Sequence, residues 1–200
     1  MKYTELVEAI RNKKVELRHD VDISILSAYK MSKLEYDLGV KSIYYLRFDS
    51  DYYNLLTYEN MKIVDYLMNK HEIGCHVDSS NFNNEDDLYD YLYDFNKIIP
   101  FRKFTFHINT DKTKTFGEVR YFQNKSILKN VYISDSKNNF TIEKFNQVKT
   151  IEDDFTLCIH PEWWDNEDFT FNSNGVETLV RTLQLDKIKN KALKEILNYE

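Results

Sequence analysis

The sequence predicts an α/β fold with parallel strands. Short β-rich runs alternate with longer amphipathic helical runs, joined by links too short for anything but strand–helix–strand units. Histidines and aspartates also recur at the carboxyl ends of the β-rich runs, where parallel α/β folds collect their functional groups. A chain of 200 residues favours a single domain over 1–200, with no internal repeat and no linker-like stretch.

The elements follow in order. The opening MKYTELVEAIRNKK is amphipathic and charged. Residues 15–21 (VELRHDV) form the first strand. Residues 24–38 form a helix with Ile25, Ala28, Tyr29, Met31, Leu34 and Leu38 at helical spacing and Gly39 as its stop. Strand 42–48 (SIYYLRF) comes next, then helix 57–69, with Met61, Val64, Leu67 and Met68 on one face, and strand 72–77 (EIGCHV). Residues 84–98 form a helix capped by Asn84, with Leu88, Leu92, Phe95 and Ile99 turned inward, leading to strand 103–108 (KFTFHI). Beyond it, 131–134 (VYIS) reads as a short strand, 144–150 as another and 155–160 (FTLCIH) as the last, stopped by Pro161. A final helix spans 176–197, broken near Leu185, with its lysines on a solvated face.

Composition narrows the function. The 15 Tyr, 13 Phe and 2 Trp supply a large core, while only 4 Gly and 2 Pro argue against a loop-dominated chain. The net charge of −6 and the absence of a strongly basic block argue against nucleic acid. The chain has no run of 18 apolar residues, so membrane insertion is not expected, and the N-terminus lacks the apolar core of a signal peptide. Cys75 and Cys158, in apolar contexts, read as buried free thiols. A cytoplasmic location is therefore expected.

The strand ends are the most informative feature. The first ends in Arg18-His19-Asp20-Val21-Asp22, the third in His76, the fourth in His107, the VYIS run in Asp135 and the last in His160. Each has a structural reading by itself: Asp22 as the cap of the helix beginning near Ser24, Asp20 as a partner of Arg18, each histidine as a satisfied polar group. Independent structural roles have no reason to converge on one rim. The period of two places Arg18, Asp20 and Asp22 on one face and His19 on the other, packed against a helix. Asp20 and Asp22 are then about 7 Å apart along the strand, so one carboxylate can bind a cation while its neighbour accepts a proton. His71, at a strand start, reads as structural.

The strings LRHDVD (17–22), HEIGCH (71–76), FTFH (104–107), YISDS (132–136) and IHPEWW (159–164) together resemble the NodB-homology polysaccharide deacetylases, carbohydrate esterase family four. The likeness is greatest to a divergent branch with an Arg-His-Asp-Val-Asp first motif and a late His-Pro-x-Trp-Trp. It covers residues 15–165 in the family's motif order. It implies a single-domain distorted (β/α)7 barrel and a metal-dependent hydrolase that removes an acetyl group from an N-acetylated amino sugar. It implies that Asp20 is the catalytic base, Asp22 and His76 are metal ligands, and His160 is the general acid. Asp135 is placed as the residue that tunes that acid. Arg18 would hold Asp20 ionised. Arg18, Asp135 and Trp164 are assigned to the substrate side of the pocket, Trp164 or Trp163 stacking on a sugar face.

Two departures matter. The family's remaining histidine ligand falls on Ser80, so His107 is expected to complete the site around a divalent cation, zinc by preference. The Arg-x-x-Pro-Tyr motif of typical members is replaced by FHINT (106–110). Three alternatives stay open: an inactive carbohydrate-binding homologue on the same barrel, a metal-dependent amidase acting on another C–N bond, and an aspartate-nucleophile phosphatase built on Asp20-Val21-Asp22-Ile23-Ser24. The last wants an almost wholly apolar strand before its aspartate, whereas this one carries Glu16, Arg18 and His19.

Overall fold

Strand and helix alternate as the periodicity predicts. The computed structural model describes residues 1–107, 119–125, 131–137, 139–172 and 174. Helix α1 (Tyr3–Ile10) precedes β1 (Val15–Val21), and α2 (Ile25–Asp37), β2 (Ile43–Leu46), α3 (Tyr58–Lys70), β3 (Glu72–Val77), α4 (Glu85–Ile98) and β4 (Lys103–Phe106) follow. Then come β5 (Gln123–Asn124), β6 (Val131–Ser134), α5 (Ile142–Thr150) and β7 (Phe155–Ile159). Their local chemistry explains them: the side chains of Ser24, Thr57, Asn84 and Thr141 each accept an N–H of the first turn of α2, α3, α4 and α5. Gly39 ends α2 at φ +70°, a conformation that costs a glycine nothing.

The expected strand at 144–150 is a helix instead. Phe145 and Val148, three residues apart, both face the core, and Thr141 caps the turn before them. The short apolar run fits either period, and packing against α1 selects the helical one. The last helix expected at 176–197 lies outside the described residues.

All the strands pair in parallel in the order β5-β4-β3-β2-β1-β7-β6. Apolar side chains occupy the outer face, beneath the helices. One cluster joins α1 and α5 to β1, β6 and β7 through Leu6, Ile10, Leu17, Phe145, Phe155 and Leu157. A second lies under α2 and α3, and a third packs Leu88 and Leu92 of α4 against Phe104 and Phe106 of β4. The inner face is polar. His107 follows β4 and His160 follows β7, four strand spacings apart, which in a flat sheet means about 19 Å. Their rings nonetheless lie 2.9 and 3.6 Å from the carboxylate of Asp22. The sheet is thus curled into an open barrel whose carboxyl ends converge.

Candidate active site

The convergence begins with β1. Arg18 and Asp20 point into the barrel while His19 points out, as the period of two requires. Arg18 donates from Nη2 to Asp20 Oδ2 at 2.6 Å, with both side chains buried. The guanidinium lies between the rings of Tyr45 and Tyr132, 5.3 and 5.6 Å from their centroids. Gly74 makes room for this layer: a Cβ there would lie 2.3 Å from the Tyr45 ring. Burial would raise the Asp20 carboxyl, but Arg18, with His76 and His160, brings it down to about 2. It is therefore a carboxylate at neutral pH, with Oδ1 buried and without a hydrogen-bond partner.

Asp22 sits where β1 ends. Its Oδ1 is 2.9 Å from His107 Nδ1 and 3.4 Å from His76 Nε2, and its Oδ2 is 3.6 Å from His160 Nε2. Burial opposes its ionisation, but the rings of His107 and His76 hold it well below the usual carboxylate range. His76 Nδ1 lies 2.7 Å from Thr105 Oγ1, which leaves Nε2 facing Asp22. One donor atom from each of Asp22, His76 and His107 lies within 4.8 Å of the others. Two imidazoles and a carboxylate, with a buried Asp22 Oδ1 on which no donor is aligned, fit a divalent cation of the zinc type.

A second set within the same limit, Asp20, Cys158 and His160, does not fit a cation equally well. Arg18 already occupies one oxygen of Asp20, and a divalent ion beside it would be repelled. The His160 ring is braced by Asp135, whose Oδ1 is 2.6 Å from His160 Nδ1. Burial works against the imidazolium, but Asp135 more than compensates and raises it well above its ordinary value. Asp20 and His160 thus bring a carboxylate held by Arg18 and an imidazole held by Asp135 within 4.8 Å of one another.

The three residues assigned to the substrate side are placed differently. Trp164 is 0% exposed, donates from Nε1 to Asp135 Oδ2 at 2.9 Å and packs edge-on against Tyr3 and Phe140. It has no ring face to offer a sugar. Arg18 and Asp135 are also buried and are bonded to Asp20 and His160. A run of two tryptophans reads equally as platform or as core, and only packing separates the two. Ser80 is exposed and bonded to Asp78. Sequence reasoning missed Thr105, although it stands two residues before His107 and so shares its face. It also missed Glu162, whose Oε1 accepts the N–H groups of Ile23 and Ser24 at 2.7 and 3.0 Å. Burial, with Asp22 close by, pushes Glu162 up to about 7.

His19 and His71 stand apart from the site. His19 Nε2 lies 2.7 Å from Glu35 on the outer side of the sheet, and His71 contacts Ser42 and the Ser32 carbonyl. Cys75 and Cys158 are buried free thiols.

No family model and no curated protein matches the chain. Solved structures do. A CE4 family pseudoenzyme from Bacillus anthracis aligns over 88% of this chain at TM-score 0.52 and 16% identity, and the chain spans 62% of that protein, less than two thirds. The peptidoglycan deacetylase PdaC from Bacillus subtilis aligns over 94% of this chain and 96% of its own at TM-score 0.53 and 12% identity. A family 4 acetyl xylan esterase from Clostridium thermocellum, solved with a cobalt ion, aligns over 86% and 84% at TM-score 0.50 and 13% identity. The fold is therefore the NodB-homology (β/α)7 barrel of the CE4 polysaccharide deacetylases.

Proposed function

We propose that this chain is a metal-dependent carbohydrate deacetylase that hydrolyses the N-acetyl group of an amino sugar in a glycan or glycan precursor. One observation carries the reading: Asp22, His76 and His107, from three separate strand ends, bring one donor atom each within 4.8 Å, with the Arg18-held Asp20 and the Asp135-held His160 close by. Asp22, His76 and His107 would hold the ion, zinc by the nature of the donors. When bound, a divalent cation supplies Lewis acidity, polarising the acyl carbonyl and making water a better nucleophile.

The remaining steps belong to the chain's own side chains. Asp20, kept ionised by Arg18, takes the proton of the attacking water at its free Oδ1. Water oxygen bonds to the carbonyl carbon and the C–N bond breaks. His160, with Nδ1 tied to Asp135, delivers a proton from Nε2 to the departing amine, so acetate and free amino sugar are released. Asp135 and Trp164 fix the imidazole, and no aromatic platform for the sugar is assigned.

Elemental analysis of untagged protein tests the site. Close to one zinc per chain is expected in the wild type, lost in His76→Ala and in His107→Ala, with acetate released from N-acetylglucosamine oligomers by the wild type alone. A specific feature favours a second reading, an inactive sugar-binding homologue: by the resemblance, the family's third ligand position falls on Ser80, whose hydroxyl is exposed and bonded to Asp78. A CE4 pseudoenzyme and a mutant of it with restored activity are among the similar structures. Sugar binding with neither metal nor acetate release after zinc reconstitution would replace the first reading by the second.

A further inference from the structure

The turn after β7 sets a second carboxylate against the cation ligand. Glu162 is 4% exposed and stands two residues beyond His160, in the short 3₁₀ turn Pro161–Trp164. Its Oε1 accepts both the Ile23 and the Ser24 N–H, and its Oε2 is buried without a partner. These two amides directly follow Asp22 and lead into α2, whose cap is Ser24. An aspartate two residues before a free N–H readily turns its own carboxylate back onto that amide, the Asx turn. Here the Ser24 amide is already taken by Glu162 and the Ser24 hydroxyl is spent on the Ser27 N–H. The Asx-turn amide is therefore not open to Asp22, and its carboxylate faces His76, His107 and His160 instead.

We propose that Glu162 is a positioning residue that, by holding the Ile23 and Ser24 amides, keeps the Asp22 carboxylate free for the cation and fixes it relative to the strand end that carries His160. The inference rests on the metal-dependent reading above and deepens it. It also gives the third position of HPEWW a role that neither burial nor packing requires, since an apolar side chain would fill the same space without leaving an unpartnered oxygen.

Zinc titration of the purified chain, with the melting temperature recorded in parallel, tests it. Glu162→Ala should weaken zinc binding by about tenfold or more, the usual effect of removing a group that orients a ligand. Glu162→Gln, whose amide oxygen can still accept both N–H groups, should bind zinc close to wild type. Ser24→Ala removes the α2 cap and should lower the melting temperature while leaving zinc affinity unchanged. Glu162→Leu keeps volume without an acceptor and replaces the alanine variant if that one does not fold. Zinc affinity unchanged in the alanine or leucine variant would overturn the proposal, as would equal losses in Gln and Ala, or a comparable loss in Ser24→Ala. A wild type that takes up no zinc would instead defeat the metal-dependent reading, and this inference with it.

Discussion

At the level of single residues, the site rests on two braces. Arg18 braces Asp20 on one side and Asp135 braces His160 on the other. Asp20→Asn keeps the shape and the contact to Arg18 but cannot accept a proton. Its acetate release should fall by about 10²–10⁴-fold, with zinc content unchanged by elemental analysis. Loss of zinc in that variant would move Asp20 from base to ligand. Gly74 is the quieter residue. Any Cβ at position 74 meets the Tyr45 ring, which covers the Arg18 guanidinium. Gly74→Ala should cost about 1–3 kcal/mol of stability through overpacking, read by denaturant unfolding, and should also lower turnover because the Arg18 layer must shift. Arg18, Asp20 and His19 were legible from the alternation along β1 alone. Trp164 was not, because a tryptophan's burial depends on what covers it, and here Tyr3, Phe140 and Phe171 come from distant parts of the chain.

Between elements, a buried carboxylate ties helix to sheet. Glu35 of α2 is fully buried and accepts from Tyr3 of α1, from Ser42 beside β2 and from Tyr44 of β2, with His19 of β1 at 2.7 Å. Burial would raise this carboxyl, but His19 and the hydroxyl donors bring it down to about 2. A carboxylate depressed by folding stabilises the native state at pH values above its unfolded value and loses that contribution as the pH falls toward its folded one. Stability should therefore drop between about pH 4.5 and 2, in urea midpoints measured across that range. Glu35→Ala should destabilise by about 3–5 kcal/mol, because His19 and two tyrosine hydroxyls lose their acceptor, and its residual stability should be flatter across the same acid range. Helices α2, α3 and α4 were readable because each carries an apolar stripe at helical spacing, with Asn84 marking the start of α4; the cap of α2 is Ser24 and not Asp22. Helix α5 was not, since the run 144–150 offers only two apolar anchors, Phe145 and Val148, and satisfies neither period decisively; contact with α1 decides.

At the scale of the whole fold, the described residues form a polar-lined, open barrel under a cover of helices, with histidines and aspartates gathered at the carboxyl ends of the strands. Such a site is built only in the folded chain, so a cation bound there stabilises folding by mass action. Zinc at a hundred times its dissociation constant should add about 2.7 kcal/mol, seen as a rise in melting temperature that His76→Ala abolishes. No helix among the described residues is long and apolar enough to cross a membrane. The sequence by itself determined the alternation of strands and helices, which face of β1 carries the carboxylates, and that histidine or aspartate closes five strand ends. Those are consequences of local periodicity and of side-chain chemistry read one strand at a time. Which of these ends meet was decided only by the tertiary structure. The curl of the sheet carries His107 and His160 across four strand spacings to the same carboxylate, and curl is a cumulative property of strand twist and of helices packed on one face. No stretch of sequence contains it.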